Sequence, residues 1–243
     1  MPSLLLSNRC VTPSGSSLLF WAAVALLLWQ KQQSLTLKSD TTSTFIGLTL
    51  LTLILYKSLH IFEADFFLRL SPLLCLLGWS LIASGWQRLK QYKQEIFLLS
   101  FLAIPWEVIY LFDISLLTAK FSTLSLWALG FDAIRQNTWI ILPTGSIEVY
   151  NGCSGVRMMI QLLGLSWLIL ALTPTRWQQK LGLPIVAVLL GFFINGLRVA
   201  LMAVLVAMGN MSAFDYWHVG TGSLVFSAIA VLLFGTTSVL LRR

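Results

Sequence analysis

Long apolar stretches recur along the whole chain, and they constrain its fold more than any other feature. Of the 243 residues, 57% are hydrophobic and only 10% are charged, whereas soluble domains carry roughly 25% charged residues. A helix of about 20 apolar residues crosses the hydrocarbon core of a bilayer, because each residue adds about 1.5 Å. The sequence therefore predicts an all-α polytopic membrane protein, with residues 1–243 forming a single integral membrane domain.

We predict about seven to eight transmembrane helices. Seven stretches have a suitable length and composition: Ser16–Gln30, Ser43–Leu59, Phe66–Trp86, Ile96–Asp113, Val156–Leu172, Leu181–Met208 and Val219–Leu241. The sixth stretch is long for one crossing. It could therefore end near Arg198 and continue as a surface helix.

Basic residues give the chain its net charge of +7, but their positions do not indicate a nucleic-acid partner. They collect in short connections and at the end of the chain: Lys31 and Lys38; Arg88, Lys90 and Lys93; Arg176 and Lys180; Arg242 and Arg243. Alternation of the helices places all four sets on one side, which the positive-inside rule makes cytoplasmic. The sequence thus predicts a multi-pass protein of the cytoplasmic membrane, in contact with lipid, with a cytoplasmic C-terminus.

The longest connection, about residues 114–155, is then external. Its first part, Leu116–Arg135, has the composition of an amphipathic segment that could lie on the membrane surface. Its second part, Thr138–Tyr150, predicts two short strands around a turn at Pro143-Thr-Gly145. This small external hairpin delivers the chain to Cys153.

Cys153 and His218 are predicted to lie at the same face of the membrane, at the external starts of the fifth and seventh helices. The positive end of a helix dipole favours a thiolate, and the charge of Arg157 would add to that effect. An imidazole with a pKa near about 6.5 suits a general base or acid, and Asp215 could orient it. Each side chain also has a structural alternative: a small buried cysteine, and an interfacial histidine in an aromatic belt.

Arg198 lies inside an apolar helix, where a charge costs a few kcal/mol and usually faces a cavity or a partner. Asn195 precedes it by three residues, on the same helical face. An arginine near a thiol could hold a developing oxyanion or a substrate carboxylate, or it could simply extend to the interface. Glu107 is an acid within another apolar stretch, where it could bind substrate or pair with a helix end.

Three segments together resemble the exosortase/archaeosortase family of membrane transpeptidases. They are Cys153-Ser-Gly155, Asn195-Gly-Leu-Arg198 and His218-Val-Gly-Thr-Gly222, which are similar to the family's Cys-Ser-Gly, Asn-x-x-Arg and His-x-x-x-Gly signatures in the same order. The turn at Asn151-Gly152 most resembles the cyanoexosortase branch, although many members carry Ala before the cysteine. The resemblance covers roughly the C-terminal half of the chain.

The resemblance implies a reaction. Members act on exported proteins whose C-terminal signal is a motif such as Pro-Glu-Pro, then a transmembrane helix, then a basic cluster. The enzyme would cleave near the motif and transfer the acyl group to an acceptor. It implies that Cys153 is the nucleophile, that Arg198 stabilises the oxyanion or positions substrate, and that His218 handles the proton. The reaction that the resemblance implies requires no metal or organic cofactor.

Two other functions fit parts of the same sequence. The peptide Gly152-Cys-Ser-Gly155 also resembles the rhomboid intramembrane protease signature, in which Ser154 would attack with help from His218 and the product would be hydrolysed. That hypothesis leaves Arg198 without a role. A transporter or assembly factor would instead use Arg198 and Glu107 in a polar pathway, and it should tolerate the loss of the Cys153 thiol.

Overall fold

Helices dominate the part of the chain that the structure describes. The computed structural model describes residues 14–60, 66–104 and 111–241. Three helices there are long and apolar enough to cross a membrane, Thr41–His60, Trp177–Ala207 and Gly222–Leu240, and shorter apolar helices are Leu19–Lys31, Leu70–Ser84 and Val156–Leu172. The prediction of a helical membrane protein is therefore confirmed, while a count of seven to eight spans stays a prediction.

The chain forms two compact units, Met1–Pro105 and Trp106–Arg243. In unit 1 the helices are α1 (Ser14–Lys31), α2 (Thr41–His60), α3 (Phe66–Ser84), a 3-10 helix (Trp86–Tyr92) and α4 (Lys93–Leu102). Helices α2 and α3 approach closely through glycines, since a Cβ on Gly47 would lie 2.6 Å from the carbonyl oxygen of Gly78. Small residues allow such close packing of apolar helices, where dispersion contacts replace a hydrophobic driving force.

The two sets of basic residues in unit 1 lie together, whereas Lys57 is in the last turn of α2, at the opposite end of that helix. The guanidinium of Arg88 donates to the carbonyl oxygen of Lys38 at 2.9 Å, which joins the α1–α2 connection to the 3-10 helix. Lys31, the last residue of α1, pairs with the fully buried Glu95 at 2.7 Å. These contacts agree with the prediction that two of the basic sets share one side.

The predicted fourth span, Ile96–Asp113, is wrong as one continuous helix. Helix α4 ends at Leu102, and residues 103 and 104 lie outside any helix. Proline lacks an N–H and disfavours the helical conformation of the residue before it, so Pro105 accounts for this end. The rest of the stretch, up to residue 110, lies outside the described residues.

In unit 2 the helices are α5 (Ser115–Ala128), α6 (Val156–Leu172), α7 (Trp177–Ala207), α8 (Met211–His218) and α9 (Gly222–Leu240). Helix α7 packs against the other four of these helices. Its 31 residues span about 46 Å, which exceeds a hydrocarbon core of about 30 Å. It continues unbroken past Arg198, so the expected break near that residue is wrong.

A three-stranded antiparallel sheet precedes the cysteine. Strand β2 (Trp139–Leu142) pairs with β3 (Gly145–Glu148), with Leu142 opposite Gly145, which confirms the predicted hairpin around Pro143-Thr-Gly145. A third strand, β1 (Ile134–Gln136), pairs with the other edge of β2 and was not predicted. The sheet packs on the last turns of α7, where the Thr144 hydroxyl donates to the Ala207 carbonyl oxygen at 2.6 Å.

Helix α5 occupies the first part of the segment predicted to be amphipathic, Leu116–Arg135, and ends well before Arg135. It packs against α7 through small buried residues and through Phe121, whose ring contacts those of Phe192 and Phe193. The buried Ser122 hydroxyl donates to the Gly196 carbonyl oxygen at 2.8 Å. The buried Thr118 hydroxyl donates to the Ser154 carbonyl oxygen at 2.6 Å. This helix thus supports the chain segment that carries the cysteine.

The two ends of unit 2 differ in character. At one end, the Gln179 side chain donates to the Leu241 carbonyl oxygen at 3.0 Å, which brings the connection holding Arg176 and Lys180 beside the end of α9. The sheet, α8 and Cys153 lie toward the other end of α7. Within this unit, the basic connections and the cysteine are therefore at opposite ends.

Candidate active site

Cys153 is buried at the entrance of α6, as predicted. It ends a 3-10 turn, Asn151–Cys153, in which its N–H donates to the Tyr150 carbonyl oxygen at 2.9 Å. Gly155 follows with φ 97, and a Cβ at that position would lie 2.7 Å from the Asn195 side-chain nitrogen. Glycine is therefore required there, because this conformation is costly for other residues and because Asn195 fills the space.

His218 meets the cysteine across 65 residues of sequence. The imidazole Nε2 lies 3.3 Å from Cys153 Sγ. The prediction that this residue opens the last membrane helix is wrong. His218 ends the short helix α8, and α9 begins only at Gly222. Asn210 starts α8 by accepting a hydrogen bond from the Ala213 N–H, so the eight-residue helix forms separately and holds the imidazole over the thiol.

Tyr150 is a third member of this cluster, and sequence reasoning missed it. Its hydroxyl lies 3.3 Å from the same Nε2 of His218, and the two rings meet edge to face. Tyr150 is the extended residue before the 3-10 turn, and the turn brings it beside Cys153, whose N–H donates to its carbonyl oxygen. An aromatic hydroxyl three residues before a cysteine in a turn is the signal that could have found it.

Arg198 binds the backbone at the end of α8. Its Nη2 donates to the His218 carbonyl oxygen at 2.6 Å, and its Nε donates to the Trp217 carbonyl oxygen at 3.3 Å. The last carbonyls of a helix lack partners within it, and a cation is favourable at that end. The guanidinium therefore fixes the segment that carries the imidazole.

Asn195 holds the other half of the pair. Its side-chain amide donates to the Cys153 carbonyl oxygen at 2.9 Å, and only 2% of the residue is exposed. Its Oδ1 lies 3.5 Å from Nη1 of Arg198, at the outer limit of a hydrogen bond. One turn of α7 thus contacts the backbone of both Cys153 and His218.

The environment keeps both reacting groups neutral near neutral pH. Burial raises the pKa of the Cys153 thiol, and the Tyr150 hydroxyl and the charges of Arg198 and Arg157 only partly offset that effect. Burial also lowers the pKa of His218, and the Arg198 charge adds to this while Asp215 opposes it. The prediction that the helix entrance favours a thiolate is therefore wrong, because desolvation of the thiol outweighs the nearby positive charges.

The remaining predicted site residues take several positions. Ser154 is fully buried, and its hydroxyl has no hydrogen-bond partner within the described parts of the chain. Arg157 and Asp215 are exposed and act on the pair through their charges. No hydrogen bond joins the Asp215 carboxylate to the imidazole in the described structure. Glu107 lies outside the described residues.

A small cleft of about 50 Å³ opens beside the thiol and the imidazole. Besides these two groups and Tyr150, its walls are mostly apolar and come from β3, α7 and α8: Ile147, Glu148, Val149, Val199, Met202 and Phe214. Among the described residues, no cluster of three or more His, Cys, Asp or Glu side chains is placed to hold a metal ion. The arrangement brings a thiol, an imidazole and a mostly apolar surface together.

Comparisons with known proteins agree with the three signature segments. A family model described as transmembrane exosortase matches residues 14–235. The chain is also 28% identical over 104 residues to a probable archaeosortase E from Methanocaldococcus jannaschii, a match that covers 43% of this chain and 54% of the relative. The chain thus spans about half the length of that curated relative. No solved structure matches the chain. Since the family model covers most of its length, the chain belongs to the transmembrane exosortase family.

Proposed function

We propose that the protein is a membrane-embedded cysteine transpeptidase or protease that cleaves C-terminal sorting signals of exported proteins and transfers the acyl group to an acceptor. The observation that carries this proposal is the 3.3 Å contact between Cys153 Sγ and His218 Nε2. A nucleophile and a base within hydrogen-bond reach, with the base held by a third group, form the usual arrangement for acyl transfer.

The first half-reaction forms a thioester. The Cys153 S–H gives its proton to His218 Nε2 as sulfur bonds to the substrate carbonyl carbon, and the carbonyl π electrons move to oxygen. When the carbonyl re-forms, the C–N bond breaks and the leaving amine takes the proton from Nε2. Because burial raises the pKa of the thiol and lowers that of the imidazole, the proton moves during attack rather than before it.

The second half-reaction regenerates the thiol. An acceptor nucleophile loses its proton to His218 Nε2 and attacks the thioester, and the sulfur then leaves and recovers that proton. An amine acceptor gives transpeptidation, and water gives hydrolysis. Arg198 holds His218 by donating to the backbone carbonyl of that residue. We therefore assign Arg198 a positioning role in addition to the effect of its charge.

The same geometry supports a membrane arrangement for this reaction. The cysteine lies at the end of unit 2 opposite Arg176 and Lys180, which supports an active site at the external face and a cytoplasmic C-terminus. A substrate helix in the bilayer of a bacterial cytoplasmic membrane would present its preceding segment just outside the lipid, within reach of the cleft.

The test is the processing of an exported reporter with a Pro-Glu-Pro motif, a membrane helix and a basic cluster at its C-terminus. Gels would compare the wild type with Cys153→Ala, His218→Ala and Arg198→Ala. We expect all three variants to lose processing while the protein stays folded in the membrane. Processing that survives Cys153→Ala would contradict the thiol mechanism.

A further inference from the structure

Two proton donors face one acceptor in the resting site. The hydroxyl of Tyr150 and the thiol of Cys153 each lie 3.3 Å from Nε2 of His218. A neutral imidazole that carries its proton on Nδ1 has a single lone pair at Nε2, so it accepts one good hydrogen bond there. The phenol and the thiol therefore compete for the base.

The Tyr150 hydroxyl remains a hydrogen-bond donor in this environment. Burial raises the pKa of Tyr150 to about 12, and its contact with Cys153 adds to the effect. The hydroxyl thus keeps its proton throughout the physiological range. Tyr150 is also 53% exposed and lines the cleft, so an incoming substrate can reach it.

Gly152 makes room for the Tyr150 ring. A Cβ on Gly152 would lie 2.6 Å from Cε2 of Tyr150, a distance that forces the ring to move. The backbone at Gly152 does not have the positive φ that excludes other residues. Contact with this ring, rather than backbone conformation, therefore opposes a side chain at position 152.

We propose that the Tyr150 hydroxyl is the oxyanion donor of the acyl-transfer reaction, and that it rests on His218 Nε2 until a substrate carbonyl takes its place as acceptor. This inference rests on the proposed function. When the Tyr150 hydroxyl turns to the carbonyl oxygen, Nε2 becomes free to accept the Cys153 proton. The negative charge that develops on oxygen as the S–C bond forms is then held by the phenol, which keeps its own proton throughout.

Tyr150→Phe tests the proposal because it keeps the ring and removes only the hydroxyl. Two rates would be measured on the full chain in detergent or membranes: reporter processing, and alkylation of the Cys153 thiol by iodoacetamide. Alkylation needs no oxyanion donor, so it reports the thiol and its base alone. Labelling of the other cysteines is subtracted with Cys153→Ala, and His218→Ala gives the rate without the base.

We expect Tyr150→Phe to lower processing by about 100-fold or more, the usual effect of losing one oxyanion donor. Alkylation should fall much less than processing, because the thiol keeps its base and loses only the lowering of its pKa that the Tyr150 hydroxyl provides. An equal fall in both rates would show that the hydroxyl serves the thiol rather than the carbonyl, and would overturn the proposal. Unchanged processing would overturn it as well.

Gly152→Ala is an independent test of the same placement. The added methyl group should displace the Tyr150 ring and lower processing in the wild-type background. In a Tyr150→Ala background the same change should have no further effect, because no ring remains to displace. Equal losses in both backgrounds would contradict the inference. If the wild type does not process the reporter, the proposed substrate fails, whereas alkylation of Tyr150→Phe still tests the competition for His218.

Discussion

Asn195 and Arg198 lie three residues apart on α7, and each binds the backbone of one member of the thiol–imidazole pair. The Asn195 amide donates to the Cys153 carbonyl oxygen, and the Arg198 guanidinium donates to the His218 carbonyl oxygen. Residues with this spacing share one face of a helix. A single rigid turn therefore sets the distance between two residues that are far apart in the sequence, and substitutions within it should act through geometry.

Asn195→Ala removes the donor that faces the Cys153 carbonyl oxygen in a site that is almost fully buried. Leaving that carbonyl unpaired should cost about 1–3 kcal/mol of stability, and processing should slow with little change in KM. The matched control is Leu197→Ala, which changes a side chain that is 44% exposed on the same helix. Equal effects of the two substitutions on the processing rate would argue against a role for the amide.

Arg198→Lys keeps a positive charge but loses the planar fork that donates to two carbonyl oxygens. We expect a loss of processing of up to about 100-fold, as for a displaced catalytic group. The pH profile of Cys153 alkylation adds a readout that a general loss of folding would not give. Because the Arg198 charge lowers the pKa of His218, Arg198→Ala should move the acidic limb of that profile to higher pH. A limb that stays in place would contradict this assignment.

Much of this arrangement could be predicted from the sequence, and the parts that could not have physical causes. Hydropathy and the alternation of helices across the membrane predicted three apolar stretches, the hairpin and the common face of Cys153 and His218. Strand β1 did not, because its three residues carry no periodic signal and depend on a turn at Asn137, whose φ of 57 asparagine tolerates. Tyr150 was missed because its place over the thiol is set by a 3-10 turn.

The role of Arg198 was open at the sequence level for a similar reason. Its charge in an apolar helix indicated a partner, and the spacing from Asn195 indicated a shared face. Neither observation identifies backbone carbonyls as the partners, because α8 is too short to be predicted beside Arg198. A local pattern therefore identified the candidate site residues, while a tertiary contact determined which atoms they bind.

The pH dependence of Cys153 alkylation should show the pKa order in the site. His218 has a pKa below its ordinary value of 6.5, and the thiol has a pKa above its ordinary value of 9.0. The rate should rise as the imidazole loses its proton below pH 6.5, and rise again in alkaline solution as the thiolate forms. Since Asp215 raises the pKa of His218, Asp215→Asn should shift the acidic limb to lower pH. A shift to higher pH would contradict this coupling.

Ser154→Ala should leave processing intact. The Ser154 hydroxyl is fully buried and unpartnered among the described residues, whereas the imidazole contacts the neighbouring thiol. Removing an unsatisfied buried hydroxyl should not lower the free energy of unfolding, and could raise it slightly. The measurement pairs reporter processing with thermal unfolding in detergent. Loss of processing by Ser154→Ala together with retention by Cys153→Ala would instead support a rhomboid-like serine mechanism.

Gly155→Ala should damage the site more than its backbone conformation alone explains. A positive φ costs a non-glycine residue about 1–2 kcal/mol, and a Cβ there would also lie 2.7 Å from the Asn195 amide nitrogen. The matched control is Gly130→Ala, where φ is 87 but nothing lies within 4 Å of the added Cβ. Both variants should lower the unfolding temperature, and only Gly155→Ala should also slow Cys153 alkylation and reporter processing. If Gly130→Ala slowed them equally, the contact between Gly155 and Asn195 would have no special part in holding the thiol.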